Sequence, residues 1–389
     1  PTPFLFSLAR KFFDLLSLDG IIPFVLSRDM IGPMARTVED AAIALGAMAA
    51  FDLNNPSFDT AIAAPPVELD KFYTDYTQFL DANALENARI GIVRNYLGVE
   101  NGVDPEITQL TEDALEIMQG LGATIVDVSF ERDFLATMSG LYGTATPHEQ
   151  KAYLEEYLAT LDDSFPKTLE ELIAILQSPE VANSETPSRI IGTLNRSATQ
   201  GDLSNPAYIN VAEVLTPFVQ QTLLDTLDSL DLDAFVFPTV NTFARPLLGT
   251  TDPTFVSFPG SPPARQVEFA SSVGLPDVTV PAGFSPTTNM PMTLSFTGRP
   301  YSESTLLGLT YAFEQATQFR RPPTLLPALE GEVIEYETVP EPGMVTALVV
   351  MGVSFLVIKV SKRGGKLHHS IELPLSTGTE ASASATVSN

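Results

Sequence analysis

Few side chains in this sequence could attack a carbonyl carbon or move a proton at neutral pH. There is no cysteine, which removes a thiolate nucleophile, a thiolate metal site and a disulfide together. Three histidines occur, His148, His368 and His369, the last two in a polar tail. A Ser-His-Asp triad would therefore rest on His148. Its surroundings, Ala145-Thr146-Pro147-His148-Glu149-Gln150, read as the start of a helix, with proline in the first turn and Glu149 at the positive end. His148 is expected as a surface or pocket-lining residue rather than as a base. Asp29 and Arg36 could form a charge-assisted pair holding a loop that Gly32-Pro33 makes tight. The alternative is that each caps or solvates its own helix, and a structural role is preferred for both.

The elements that must position these residues can be read from periodicity and turn chemistry. Thr37 to Asp40 has a capping-box pattern with Asp in place of Glu, and a small, apolar helix follows to about residue 50. Arg89 to Val93 reads as a strand, Asp104-Pro105 as N-cap and first helical residue, and Gly122 as the stop. Residues 123–130 read as the next strand. This strand-helix-strand unit belongs in a sheet with parallel strands and covering helices. Residues 131–230 read mainly as helices, broken near Pro166, Pro179, Pro187 and Pro206. Asp233 to Thr239 reads as a buried strand, followed by strands at 278–284 and 292–296 and a helix over 302–319.

Composition narrows the function classes. Forty-eight acidic residues against 21 basic give a net charge of -27, which opposes nucleic acid and anionic membrane surfaces as partners. The tail 331–389 differs from the rest. Its apolar run 344–358 precedes Lys359, Lys362, Arg363 and Lys366, as a membrane span with a cytoplasmic flank would. The run is shorter than the roughly 20 residues a span needs, and a buried strand or hairpin is the preferred reading. A soluble protein is favoured, and no targeting segment is legible.

Two distant blocks then carry a resemblance. Gly20, Pro23, Asp29, Gly32, Pro33, Arg36, Thr37, Val38, Asp40 and Ala41 follow each other at the spacing that closes the signature of the amidase-signature family. Gly274-Leu-Pro276-Asp-Val-Thr-Val-Pro281-Ala-Gly283-Phe284, with Gly298-Arg-Pro300 and Phe313-Glu314 beyond, is similar to that family's C-terminal block. The resemblance implies a mixed, largely parallel sheet flanked by helices, with residues 1–330 as the C-terminal part of an amidase domain and 131–230 as its variable helical region. It implies hydrolysis of a small-molecule carboxamide with neither metal nor organic cofactor. Tyr142, Thr144 and His148 become pocket candidates.

The family's chemistry is known to use a serine nucleophile, a second serine in a cis peptide and a lysine base. The runs that carry them, Gly-Gly-Ser-Ser-Gly-Gly-Ser and Gly-Gly-Ser-Ile-Arg, do not occur in these 389 residues. The resemblance places both ahead of Pro1-Thr2, so no residue of this chain is assigned as catalytic and the chain by itself is expected to be inactive. Phe4 to Leu16 looks like a helix-prone addition between Pro1-Thr2 and Gly20. The alternative function is a non-catalytic binding or subunit-like protein that keeps the amidase framework.

Overall fold

The computed structural model describes residues 7–10, 15–49, 69–182, 188–246 and 266–321, with the backbone alone at 7–10, 69, 180, 182, 188 and 189. The tail 331–389 and its run 344–358 lie outside the described residues. No helix among those described is long and apolar enough to cross a membrane.

Among the described residues, seven strands form one sheet: β1 (Ser7–Arg10), β2 (Met34–Ala35), β3 (Arg89–Val93), β4 (Thr124–Val128), β5 (Ala234–Pro238), β6 (Asp277–Phe284) and β7 (Pro291–Thr297). Their order across it is β2-β1-β6-β7-β5-β3-β4. The strands read at 90–93, 123–130, 234–237, 278–280 and 292–296 thus share one sheet. That sheet is mixed and helix-flanked as expected, but its weight is antiparallel. Only β3·β4 and β3·β5 are parallel, while β1·β2, β1·β6, β5·β7 and β6·β7 are antiparallel. Linker length explains the difference. Six residues join β6 to β7, enough for a hairpin and too few for a parallel crossover. A helix joins β3 to β4, and the long helical stretch joins β4 to β5, which neighbours β3.

Within residues 4–16, expected to be helix-prone, the described Ser7–Arg10 is a strand instead. Leu8, Ala9 and Arg10 pair with Thr279, Val278 and Asp277 of β6. Pairing satisfies backbone groups that β6 would otherwise expose along that edge, and this tertiary gain overrides a weak local preference.

Alternation along β5 sends successive side chains to opposite faces. Ala234 and Val236 join a core with helices α1 (Val38–Met48), α2 (Pro105–Gly120) and α9 (Glu303–Thr317). Phe235 and Phe237 join a second core with α3 (Arg132–Thr160) and α8 (Thr216–Ser229). Between these last two run α4 (Leu169–Leu176), α5 (Pro179–Ala182), α6 (Ser188–Gln200), α7 (Pro206–Asn210) and one π-helical turn at Val211–Leu215.

The caps read from sequence are present. Thr37 Oγ1 accepts the Asp40 N–H at 3.0 Å, and Asp104 Oδ1 accepts the Glu106 N–H at 2.8 Å. Pro147 is a correction. It lies inside the 29-residue α3 rather than starting a helix. The six residues from Ala145 to Gln150 are all buried, so packing on every side of the helix hides the periodicity that would mark its true start.

Candidate functional site

The loop from Gly20 to Asp29 holds itself together. Pro23 is buried, and the Asp29 carboxylate accepts the N–H of Phe24 at 2.7 Å and of Val25 at 3.0 and 3.1 Å. Arg28 and Asp29 both donate their backbone N–H to the Val25 carbonyl. Burial pushes the Asp29 carboxyl above its ordinary range, and the two amides oppose that shift. Asp29 thus caps the amides of its own loop, which was the alternative to a pair with Arg36. A carboxylate four or five residues from amides that point inward satisfies them locally, with no cation needed.

Beneath this loop lies a polar cluster that sequence reasoning missed. Glu149 of α3 accepts the Ser27 N–H at 2.8 Å and the Ser27 hydroxyl at 2.6 Å. Arg28 Nη1 donates to Ser27 Oγ at 2.7 Å and lies 3.8 Å from Glu149 Oε1, and Nη2 donates to Thr216 Oγ1 at 3.0 Å. Neither the Arg28 nor the Glu149 side chain has exposed surface. Burial drives the Glu149 carboxyl upward against the pull of Arg28 and Ser27, and lowers Arg28. The Tyr208 hydroxyl lies close to the same carboxylate without completing a well-formed hydrogen bond. The one sequence signal is Arg28, which stands between Ser27 and Asp29 directly after the apolar run Ile21 to Leu26. Glu149, read as a helix-start residue, gave none.

The second block is fixed by the sheet. Asp277, buried at the start of β6, accepts hydroxyl hydrogen bonds from Thr297 at 2.7 Å, Ser295 at 3.2 Å and Thr279 at 3.3 Å. Pro276 offers its carbonyl to the Gly298 N–H at 3.1 Å. Gly274 and Pro281 are buried on either side of this patch. Gly283 follows a register shift after Pro281 and has φ +137°. A Cβ there would meet Leu110 of α2 at 3.0 Å, so both conformation and space call for glycine.

The two blocks meet. β2, just after Gly32-Pro33, pairs with β1, and β1 pairs with β6. Glu314 of α9 accepts the Val38 N–H with both carboxylate oxygens at 3.1 Å, across 276 residues. Arg36 and Asp40 flank that contact on exposed positions.

The pocket candidates separate. Tyr142 is partly exposed, with its ring centroid 6.4 Å from that of Phe24. Thr144 is partly exposed on the same helix. His148 is only 6% exposed, and its Nδ1 accepts the Asp202 N–H at 3.2 Å. It pins the loop after α6 rather than lining a surface. A separate pocket of about 420 Å³, lined by Phe79, Glu86, Asp233, Ser304 and Leu309 among others, contains none of the candidate site residues. Among the described residues no cluster of His, Cys, Asp or Glu could hold a metal ion.

A sheet with helices on both faces, joined by two signature blocks, defines the class, and comparison with known proteins agrees. The amidase family profile matches residues 12–307. A glutamyl-tRNA(Gln) amidotransferase subunit from Thermosynechococcus vestitus is 30% identical over 312 residues, covering 79% of this chain and 60% of the relative. The X-ray structure of native peptide amidase from Stenotrophomonas maltophilia is similar with a TM-score of 0.63 at 30% identity, over 82% of this chain and 60% of that one. An amidase family protein from Bacillus anthracis, 21% identical with a TM-score of 0.62, shares the fold. This chain belongs to the amidase family, the amidase-signature family that the two blocks resemble. It spans about three fifths of the length of these relatives.

Proposed function

We propose that this chain serves the hydrolysis of a carboxamide C–N bond, and that the Ser-cis-Ser-Lys machinery belongs to sequence other than residues 1–389. In that chemistry a serine hydroxyl attacks the carbonyl and its proton passes to the neutral lysine. The amine then leaves with a proton, and water releases the acid from the acyl-enzyme. Residues 1–330 supply the sheet, its α1 and α9 supports and the helical region 131–230, which shapes the acyl side of the pocket through Tyr142 and Thr144. Gly20, Pro23, Asp29, Gly32, Pro33, Arg36, Asp40, Gly274, Pro276, Pro281 and Gly283 act as framework rather than as chemistry.

The observation that carries this reading is the Val38-Glu314 contact, which joins the two signature blocks directly. A peptide or small-molecule amide is favoured over an amide borne on RNA, because a net charge of -27 repels a phosphate backbone. A serine-directed fluorophosphonate probe and an aryl amide substrate test the proposal. Residues 1–389 should take up no probe and release no amine above the buffer rate. Stoichiometric labelling would show that one of the chain's own serines is a nucleophile rather than part of the framework, and would overturn it.

The second reading is a non-catalytic, subunit-like module. It is favoured by a relative whose name describes one subunit of an amidotransferase. A second chain that hydrolyses the amide without residues 1–389, and binds them stoichiometrically, would support it over the first.

A further inference from the structure

The buried Arg28-Glu149 pair has no part in the chemistry proposed above, yet both of its side chains are tied into a polar network shared with Ser27 and Thr216. Such a pair is a poor source of stability. Removing two charges from water costs several kcal/mol per ion, and well-packed apolar side chains of similar volume do as well or better. What hydrogen bonds provide, and apolar contacts do not, is direction. Ser27 receives from Arg28 and donates to Glu149, so three groups fix one another's orientation. Arg28 also reaches Thr216 at the first turn of α8, so the loop is tied to two helices at once.

The consequence falls a few residues earlier. Asp29 clamps the Phe24 and Val25 amides, so the loop moves as a unit. Phe24 is 43% exposed and cannot be held by burial, yet its ring lies against Tyr142 of α3. We propose that Arg28 and Glu149 are positioning residues. They set the Pro23 to Asp29 loop against the helical region and thereby fix the Phe24-Tyr142 contact that bounds the acyl side of the site. The relevance to amide binding rests on the proposed function, whereas the positioning itself rests on the geometry.

The test uses the full 389-residue chain and requires no hydrolysis, so an inactive chain bears only on the proposed function. Amide hydrogen exchange at Phe24 and Val25, the ring-to-ring NOE between Phe24 and Tyr142, and the thermal melt are compared for the parent, E149Q and R28M/E149M. The double variant should melt above E149Q because no charge is left buried without its partner, although the Ser27 N–H loses its acceptor. Protection at Phe24 and Val25 should nevertheless fall by about tenfold or more, and the NOE should disappear. E149Q should lose both signals and melt lower. Should the double variant fail to fold, R28K serves in its place, since one ammonium cannot reproduce the two-armed contact to Ser27 and Thr216, and the loop signals should again be lost. Parent-like protection and NOE in R28M/E149M or R28K would overturn the proposal. Loss of protection spread equally over β3 and α9 would overturn it too, because the pair would then act only through global stability.

Discussion

Glu314 offers a sharp pH test of how the signature blocks are joined. Its carboxyl is pushed up to about 7 from the usual 4.5, chiefly by burial, with Asp40 and Glu39 adding to the rise and the Val38 amide and Arg320 opposing it. The folded state therefore binds a proton more tightly than the unfolded chain does. Between about pH 4.5 and pH 7 the native state holds more protons, so stability from this group is full below 4.5 and falls as pH rises to 7. The whole shift corresponds to about 3 kcal/mol at most, and partial exposure with salt screening reduces it to about 1–2 kcal/mol. The perturbation is Glu314→Gln. The glutamine oxygen still accepts the Val38 N–H, and its amide group can face Asp40 and Glu39 as a neutral donor. Urea unfolding followed by circular dichroism at pH 5, 6, 7 and 8, for parent and variant, isolates the group from the other carboxylates by difference. The variant should gain about 1–2 kcal/mol relative to the parent between pH 5 and pH 8. Parallel stability profiles would refute the reasoning, as would a relative gain for the parent.

Other expected outcomes follow from single contacts. Glu149→Ala leaves the Arg28 charge buried without its carboxylate, and should cost about 3–5 kcal/mol in urea unfolding. Gly46→Ala in α1 would place a Cβ 2.5 Å from the Thr74 carbonyl oxygen. It should destabilise by about 1–3 kcal/mol despite the better helix propensity of alanine. Gly192→Ala in α6 meets nothing within 4 Å and should stabilise by about 0.5–1 kcal/mol. The opposite signs of these two glycine variants are read from their thermal melts.

Features that depend on nearest neighbours along the chain are legible in the sequence. Thr37 and Asp104 can be read as caps because the amides they serve lie two or three residues away. The strand-helix-strand unit over 89–128 can be read because its turn residues and apolar periodicity are local. The two signature blocks stand out because so many residue types recur at fixed spacing. Other features took their form only when distant segments met. Ser7–Arg10 is a strand because β6 has an edge to fill, which no local preference records. Pro147 sits in mid-helix because burial on all sides of α3 outweighs its missing N–H. Arg28 and Glu149 could not be paired in advance, since Ser27 and Glu149 stand 122 residues apart and neither position carries a periodic or turn signal. Glu314 and Val38 are 276 apart. Interactions over such separations depend on where the sheet carries each segment, and a buried charge declares its partner only once the surrounding chain has excluded water.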